Sequence, residues 1–307
     1  MRFLVTGALG FCGHHLVRRL ANDPHVSVVG VDLQPTAPER LPLSGYYCCD
    51  VAAEGAIGAV VERVRPDGIF HLAGLFSAPM PALYRSNVMS AVELLDAVGR
   101  YAPDSGVVVV GSAAEYGRVA EDQLPITEAA PCAPVSAYGR VKRIVTEVAL
   151  EYARQGLRVS VVRPFNIVGA GVPTSLVVGA MVDRIVKAVQ RGEDEVRVGN
   201  LDCERDFVAV DDVVDAYATL MARGVWGEVF NICSGRPASV RSVVATLLSY
   251  APRRLRFVVD ASLCRADDVP VVYGSWARAH KAFGFTPATR LEHALRTAWE
   301  HAAQCGQ

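Results

Sequence analysis

The sequence predicts an α/β protein, a doubly wound parallel sheet with a smaller C-terminal α/β lobe. Three observations predict it. A short apolar strand, Arg2-Phe3-Leu4-Val5, runs into a glycine-spaced turn and then into a helix. Strand-length and helix-length segments alternate through the first half of the chain, the pattern of βαβ units with right-handed crossovers. The segment Val107–Val110 is valine alone, as expected of a parallel strand covered by helices on both faces.

The elements follow in order. The first turn carries Gly7, Gly10 and Gly13. Gly7 permits the tight turn, Gly10 lets backbone amides approach a pyrophosphate, and Gly13 lets the next helix pack close. That helix, around His14–Leu20, opens with free N–H groups and partial positive charge. A second strand, Val26–Val31, ends in Asp32, placed where an acid can accept both hydroxyls of an adenosine ribose. Strand, glycine turn, helix and acid together predict a bound dinucleotide, contacted by Gly7, Leu9, Gly10, Phe11, Asp32 and Leu33. The plainer alternative is a structural turn and a surface aspartate. The arrangement is of the Rossmann type.

A loop with Pro35, Pro38 and Pro42 leads to a strand at Tyr46–Cys49 and then Asp50-Val51. A helix spans about Ala56–Val64, stopped by Pro66. Gly68–Ala73 reads as a strand followed by Gly74, Leu83–Gly99 as a helix, and Gly106–Gly111 as the valine strand. A helix from about Ala137 to Gln155 leads to the strand Leu157–Val162, ended by Arg163-Pro164. Residues 1–165 are thus expected to form the dinucleotide-binding domain. The rhythm then changes. Helices are expected at Leu176–Gln190, Asp211–Met221, Val240–Ser249 and Leu291–Ala303. Strands are expected at Val196–Val198, Val229–Ile232 and Arg256–Val259, with a polar turn over Gly199–Asp206. Residues 166–307 should form mainly a substrate-binding lobe, with about 205–235 returning to the large domain.

The totals narrow the function classes. The 307 residues are 51% hydrophobic and 21% charged, with net charge −1, enough for a large core. That balance leaves no electrostatic footprint for nucleic acid or an anionic membrane. No apolar run approaches the ~20 residues of a membrane helix, and a strand begins at residue 2, so a cytoplasmic location without a signal peptide is expected. The eight cysteines show no C-x-x-C pair, which points to reduced thiols. Cys12 has two readings: a thiolate stabilised at a helix N-terminus, or a small apolar packing residue. No His/Cys/Asp grouping has metal spacing, so no metal is expected. His14 and His15 should face solvent or a phosphate, and His71 should be a buried strand histidine.

The chemistry points to Tyr138 and Lys142. Four residues apart, they share one face of a helix. An ammonium beside a phenol favours the phenolate, so the tyrosine is expected to titrate below its usual ~10. Such a tyrosine can pass a proton to or from a sugar hydroxyl. Ser112 lies at the end of the valine strand, and strand C-termini face the ligand in an open α/β sheet. Its hydroxyl could hold the reacting oxygen. The plainer readings are a strand-end cap for Ser112 and a helix anchor for Tyr138.

Taken together, several motifs carry a family resemblance. They are Thr6-Gly-x-x-Gly10-x-x-Gly13, Asp50-Val51, His71-Leu72-Ala73-Gly74, Asn87, Ser112, Tyr138-x-x-x-Lys142 and Arg163-Pro164-Phe165-Asn166. The set resembles the extended short-chain dehydrogenase/reductases, which act on nucleotide sugars. The resemblance implies Ser112, Tyr138 and Lys142 as the catalytic triad. It implies Asp50 and Val51 at the adenine, with Leu72, Ala73, Gly74, Asn87, Lys142 and Pro164 also along the cofactor. Val198-Gly199-Asn200-Leu201, Arg205-Asp206-Phe207, Phe230–Gly235, Asp268–Ser275 and Gly284–Pro287 are similar to the GDP-4-keto-6-deoxy-D-mannose reductases. That similarity implies substrate contacts from Ser112, Ala113, Asn166, Leu176, Val198, Asn200, Arg205 and Arg265. A guanidinium suits a diphosphate because it pairs bidentately; for Arg205 the alternative is an ion pair with Asp206, Asp211 or Asp212.

The departures from the pattern matter as much. Related dehydratases place a Glu two residues after the Ser/Thr, and here that residue is Ala114. Glu115 is one place later, and on a strand a one-residue shift points to the other face, so 4,6-dehydration is not expected. The Gly74–Asn87 segment, with Pro79 and Pro81, is shorter than in those reductases. Ser112-Ala113-Ala114 also resembles the turn of UDP-hexose 4-epimerases. Asp32 would repel a 2′-phosphate, so NAD(H) is expected over NADP(H). The sequence therefore points to an NAD(H)-dependent nucleotide-sugar oxidoreductase, reducing a GDP-4-keto-6-deoxyhexose at C4. A 4-epimerase with tightly held NAD is the alternative, and a non-catalytic NAD-binding protein a more distant one. The resemblance also implies a homodimer through the Tyr138 helix and the preceding helix, where Ile144, Val145, Val148 and Ala149 add apolar surface.

Overall fold

The computed structural model describes residues 1–263 and 269–305, the side chain of Cys305 excepted. The first half of the chain builds β1 (Arg2–Thr6), α1 (Phe11–Ala21), β2 (Ser27–Asp32), β3 (Gly45–Cys48), α2 (Ala56–Val64) and β4 (Gly68–His71). It continues through α3 (Met80–Tyr84), a π-helical turn (Arg85–Met89), α4 (Ser90–Tyr101), β5 (Gly106–Val110), α5 (Ala137–Arg154) and β6 (Val159–Pro164). The expected helix at Leu83–Gly99 is therefore three joined pieces; it starts earlier because Pro81 fits a helix's first turn, where no N–H is needed.

The second half forms β7 (Asn166–Val168), α6 (Val177–Arg191), β8 (Glu195–Val198), β9 (Glu204–Ala209), α7 (Val210–Arg223) and β10 (Val229–Ile232). Then come β11 (Pro237–Ser239), α8 (Val240–Ser249), β12 (Arg256–Val259), β13 (Val271–Val272), α9 (Ala277–Phe283) and α10 (Leu291–Cys305). The expected polar turn over 199–206 is corrected at its end: Glu204-Arg205-Asp206 opens β9. Its polar side chains hid a strand whose Asp206 is buried as a clamp. Asp206 accepts N–H groups from Ser234 (2.7 Å), Gly235 (2.9 Å) and Gly274 (3.3 Å).

The large sheet has seven parallel strands in the order β10-β6-β5-β4-β1-β2-β3. The order reverses between β1 and β4, so the crevice at their C-terminal ends is where a ligand is expected. The strand β10, from the second half of the chain, pairs with β6 and completes this sheet. Around β9 gather β7, β11 and β13, and β8 pairs with β12.

Helices cover both faces of the large sheet. On one face α1 and α7 meet around Leu16, Val17, Val213 and Tyr217. On the other, α2, α4 and α5 pack through Ile57, Leu94, Leu95 and Val145. In α5, Val145 and Ala149 are buried in that core, whereas Ile144 and Val148 are partly exposed beside it. A third core joins α6, α8 and α10. Burying a Val, Leu or Phe contributes roughly 1.5–3 kcal/mol. Phe230 is fully buried on β10 and meets Phe283 of α9 edge-on at 5.2 Å. Phe230→Ala should cost about 3–5 kcal/mol. Urea unfolding measures it, and a loss below about 1 kcal/mol would show that α9 does not hold the sheet edge.

Candidate active site

The glycine turn is a close-packed junction. Gly7 has φ +69°, and a Cβ there would lie 2.8 Å from Ala73 N. A Cβ on Gly13 would lie 2.1 Å from Gly7 O. Backbone therefore touches backbone where β1 enters α1 and where β4 ends. No side chain caps α1 at Gly10, so its first N–H groups face outward as an anion cradle. Asp32 closes the turn: its carboxylate accepts Leu9 N–H at 3.0 Å and Leu33 N–H at 2.8 Å. Leu33 itself is 67% exposed. Leu72 N donates to Thr6 O at 3.1 Å and Ala73 N to the Thr6 hydroxyl at 3.3 Å, setting Gly74 at the rim.

Val51 is buried, while Asp50 is half-exposed and paired with Arg85 at 2.7 Å. Asn87 is buried on the π-helical turn, its amide donating to Leu75 O (3.0 Å) and Leu83 O (2.9 Å). Among the described residues, Asn87 Oδ1 and the Tyr217 hydroxyl are buried without a partner. Such orphaned polar atoms call for an explanation. A glycine cradle, an uncapped helix N-terminus, a ribose-suited acid and orphaned polar atoms make a donor set that fits a dinucleotide.

Ser112, Tyr138 and Lys142 come together across this crevice. Ser112 follows β5, its hydroxyl accepts Ala114 N–H at 3.1 Å, and it lies on the Tyr138 side of the turn. Ala113 opens the short 3₁₀ turn that follows. A Cβ on Gly139 would lie 2.3 Å from Ala114 O, so α5 presses directly on the Ser112 turn. Lys142 donates to Val110 O at 2.8 Å, and its Nζ lies 5.9 Å from the Tyr138 ring centre. The expected fall in the Tyr138 pKa is corrected. Burial pushes the phenol above its usual range, with the Ser112 hydroxyl opposing. The ammonium is bonded to the Val110 carbonyl and lies over the ring face, so burial outweighs it. Phe76 packs at a tilt against Tyr138, ring centres 4.8 Å apart, a neighbour that sequence reasoning missed.

Other expected positions fall as follows. Pro164 ends β6 and is buried beside Ile232. Asn166 donates to Asp206 O at 2.8 Å, and Leu176 caps the start of α6. Asn200 accepts Asp202 N–H at 2.9 Å. Arg205 reaches Glu204 O at 2.9 Å and Pro270 O at 3.4 Å. The three aspartates considered for it bond elsewhere as well: Asp206 to Ser234, Asp211 to His15 and Asp212 to Thr289. Val198 is a correction: the alternation of β8 turns it into the third core, fully buried, and its carbonyl accepts Asp260 N–H at 2.8 Å. Arg265 lies outside the described residues. Cys12 takes the apolar reading, since burial raises its thiol to about 12. His15 is also corrected: it bonds Ala170 O at 2.8 Å and faces Asp211 at 3.5 Å rather than a phosphate. His71 is buried, bonded to Thr6 at 2.8 Å, and lowered to about 3 by burial and by Lys142.

Beneath the Ser112 turn lies a buried ion pair, Glu115–Arg163, at 2.8 Å. The expected strand parity at Glu115 is corrected: Ala113–Glu115 is a 3₁₀ turn, and it is the bond to Arg163 that holds the carboxylate. The signal was available: Thr146 continues the Tyr138, Lys142 spacing of four, and its hydroxyl bonds Glu115 at 2.8 Å.

A glycine cradle at the switch point, facing a Ser–Tyr–Lys set, defines a dinucleotide-linked enzyme of the short-chain dehydrogenase/reductase class. The profile of the NAD dependent epimerase/dehydratase family matches residues 3–233, and the chain belongs to that family. It is 31% identical over 304 residues to a GDP-6-deoxy-D-mannose reductase of Pseudomonas aeruginosa, covering 96% of this chain and 95% of that protein. It is also 31% identical over 332 residues to a UDP-glucose 4-epimerase of Azospirillum brasilense, covering 99% and 93%. The solved structure of RMD from Pseudomonas aeruginosa complexed with NADPH superposes with TM-score 0.86 at 29% identity, covering 99% of this chain and 98% of that one. Among the described residues no helix is long and apolar enough to cross a membrane.

The buried ammonium has a measurable consequence. Lys142 is 7% exposed, and burial lowers it from 10.5 to about 8, with Glu115 opposing. Between those two values the unfolded chain still holds the proton that the folded chain has released, so stability rises with pH through that window. Lys142→Met, which has no charge to bury, should be the more stable protein at neutral pH, by up to about 3 kcal/mol. The gap should close as pH passes 10.5. Denaturant unfolding of both proteins across that range checks it; parallel pH curves would refute it.

Proposed function

We propose that this chain is an NAD(H)-dependent reductase of the C4 keto group of a GDP-4-keto-6-deoxyhexose. The observation that carries the proposal is the convergence of the Ser112 turn and Tyr138 at the end of β5, where α5 presses on that turn at Gly139, with Lys142 one helical turn along. The substrate class is supported by the likeness to the GDP-6-deoxy-D-mannose reductase. When bound, the dinucleotide supplies hydride. Gly7, Leu9, Gly10 and Phe11 would hold its pyrophosphate and Asp32 its adenosine ribose, and it would offer the orphaned Asn87 Oδ1 a partner.

Ser112 holds the C4 oxygen and Tyr138 gives it the proton. The high phenol pKa suits this direction, because the tyrosine waits protonated, as an acid must. Lys142 places positive charge behind the phenol and stabilises it as the proton leaves. Arg205 and Asn166 are the proposed contacts to the substrate diphosphate. Ala114 offers no base for eliminating water, and Glu115 is committed to Arg163. A homodimer through α4 and α5 accompanies the proposal, with Ile144 and Val148 on the partly exposed face.

A second reading, 4-epimerisation with NAD retained, is favoured by Ser112-Ala113-Ala114 and by the epimerase relative. The two differ in stoichiometry. With GDP-4-keto-6-deoxymannose, a reductase consumes one NADH per product; interconversion of C4 epimers without net cofactor oxidation would select the second reading. Tyr138→Phe should lower kcat by roughly 10²–10⁴-fold with cofactor binding intact, and an active variant would remove Tyr138 from the chemistry.

NAD(H) over NADP(H) rests on the Asp32 carboxylate, both of whose oxygens already accept backbone N–H groups. Asp32→Gly should raise the NADPH/NADH ratio of kcat/KM by about tenfold or more. An unchanged ratio would clear Asp32 of that role.

A further inference from the structure

Glu115 has no part in the proton transfer proposed above, yet it is 0% exposed beneath the Ser112 turn. One carboxylate oxygen accepts Ser112 N–H at 2.8 Å. The other accepts the Thr146 hydroxyl at 2.8 Å and Arg163 Nε at 2.8 Å. Every one of these partners donates, which is how an ionised carboxylate is satisfied. Burial alone raises such a carboxyl, and Arg163 opposes it.

These three bonds join three elements: the Ser112 turn, α5 and β6. Thr146 lies one turn beyond Lys142 on the face that carries Tyr138. The fit is close, since a Cβ on Gly111 would come within 2.5 Å of Glu115 Oε1. Arg163 is held in turn by the Tyr116 ring (4.9 Å) and hydroxyl (3.1 Å). Burying this pair carries a desolvation cost that apolar side chains of similar size would avoid, so packing does not account for it.

We infer that Glu115 is a positioning residue: its buried carboxylate fixes the Ser112 turn against α5 and β6 and supplies the negative charge that keeps Lys142 cationic behind Tyr138. The inference rests on the roles proposed above for Ser112, Tyr138 and Lys142. The charged and titratable groups around Glu115 are Arg163 on β6, Lys142 and Tyr138 on α5 and Cys132 in the loop before α5, with Tyr116 of its own turn set against Arg163. Removing its charge lets both Lys142 and Tyr138 lose their protons at lower pH. A reduction that needs both protonated then loses its rate at lower pH as well.

The chain has three lysines, Lys142, Lys187 and Lys281, so protein made with ε-¹³C lysine gives three resolvable side-chain signals. Lys142→Arg identifies the one that matters. In Glu115→Gln its titration midpoint should fall by on the order of 1 unit, and the alkaline limb of kcat should move down with it. Glu115→Asp, which keeps the charge, should hold the midpoint at the wild-type value. Glu115→Gln leaves Arg163 buried without a counter-charge, so Glu115→Gln/Arg163→Gln is measured beside it and should show the same fall. An unmoved Lys142 midpoint in either variant, or an equal fall in Glu115→Asp, overturns the inference. The lysine signal is read without turnover, which separates the two levels. An inactive Tyr138→Phe enzyme with an unmoved midpoint removes the Glu115 role alone. An active Tyr138→Phe enzyme overturns the catalytic reading, and the positioning role falls with it.

Discussion

Backbone against backbone at the end of β1 is the constraint from which the rest of the structure follows. Thr6, Gly7 and Gly13 bring the first turn into contact with the start of α1 and with the residues after β4. A single methyl group at Gly7 or Gly13 would meet main-chain atoms that cannot move aside. This contact sets the point at which the strand order reverses between β1 and β4. The crevice there opens at the C-terminal ends of the strands, where side chains of several elements can converge. The uncapped start of α1 and the Asp32 carboxylate then face the same space.

Around that crevice the protein handles charge in two ways. At the surface, ion pairs such as Arg85–Asp50 and Arg143–Glu147 are exposed and contribute little. Below the Ser112 turn, Arg163, Glu115 and Lys142 are all buried, and each is satisfied by directed bonds. Low dielectric makes the Glu115–Arg163 contact strong and makes the loss of either partner costly, whereas the Lys142 ammonium carries an unrepaid desolvation cost. The same burial holds the Tyr138 phenol protonated and keeps His71 neutral. Burial therefore sets where each group of the crevice titrates: His71 and Tyr138 away from neutrality, Lys142 toward it.

The first half of the fold was legible because its signals are local. Hydrophobic runs of strand length, helical spacing and glycine turns place β1 to β6 within a few residues. The second half was less so. The strand β9 begins Glu-Arg-Asp, and only the amides of Ser234, Gly235 and Gly274 make a buried Asp206 tolerable there. Strands β7, β11 and β13 are three residues or fewer and carry no periodicity. Val198 looked like a ligand contact in its motif, but the parity of β8 turns it into the core. Parity cannot be read until the strand's partner is known.

The sequence by itself determined the sheet type, the glycine turn, Asp32 and the Tyr138–Lys142 spacing, because each depends on residues within a few positions of one another. Only the tertiary structure decided what the phenol and the ammonium feel. Residues 112, 115, 138, 142, 146 and 163 come from a turn, a helix and a strand, and long-range packing brings them into one buried cluster. Proximity to lysine suggested an acidic tyrosine; burial reversed it. Desolvation belongs to the whole fold and is absent from any local stretch of chain.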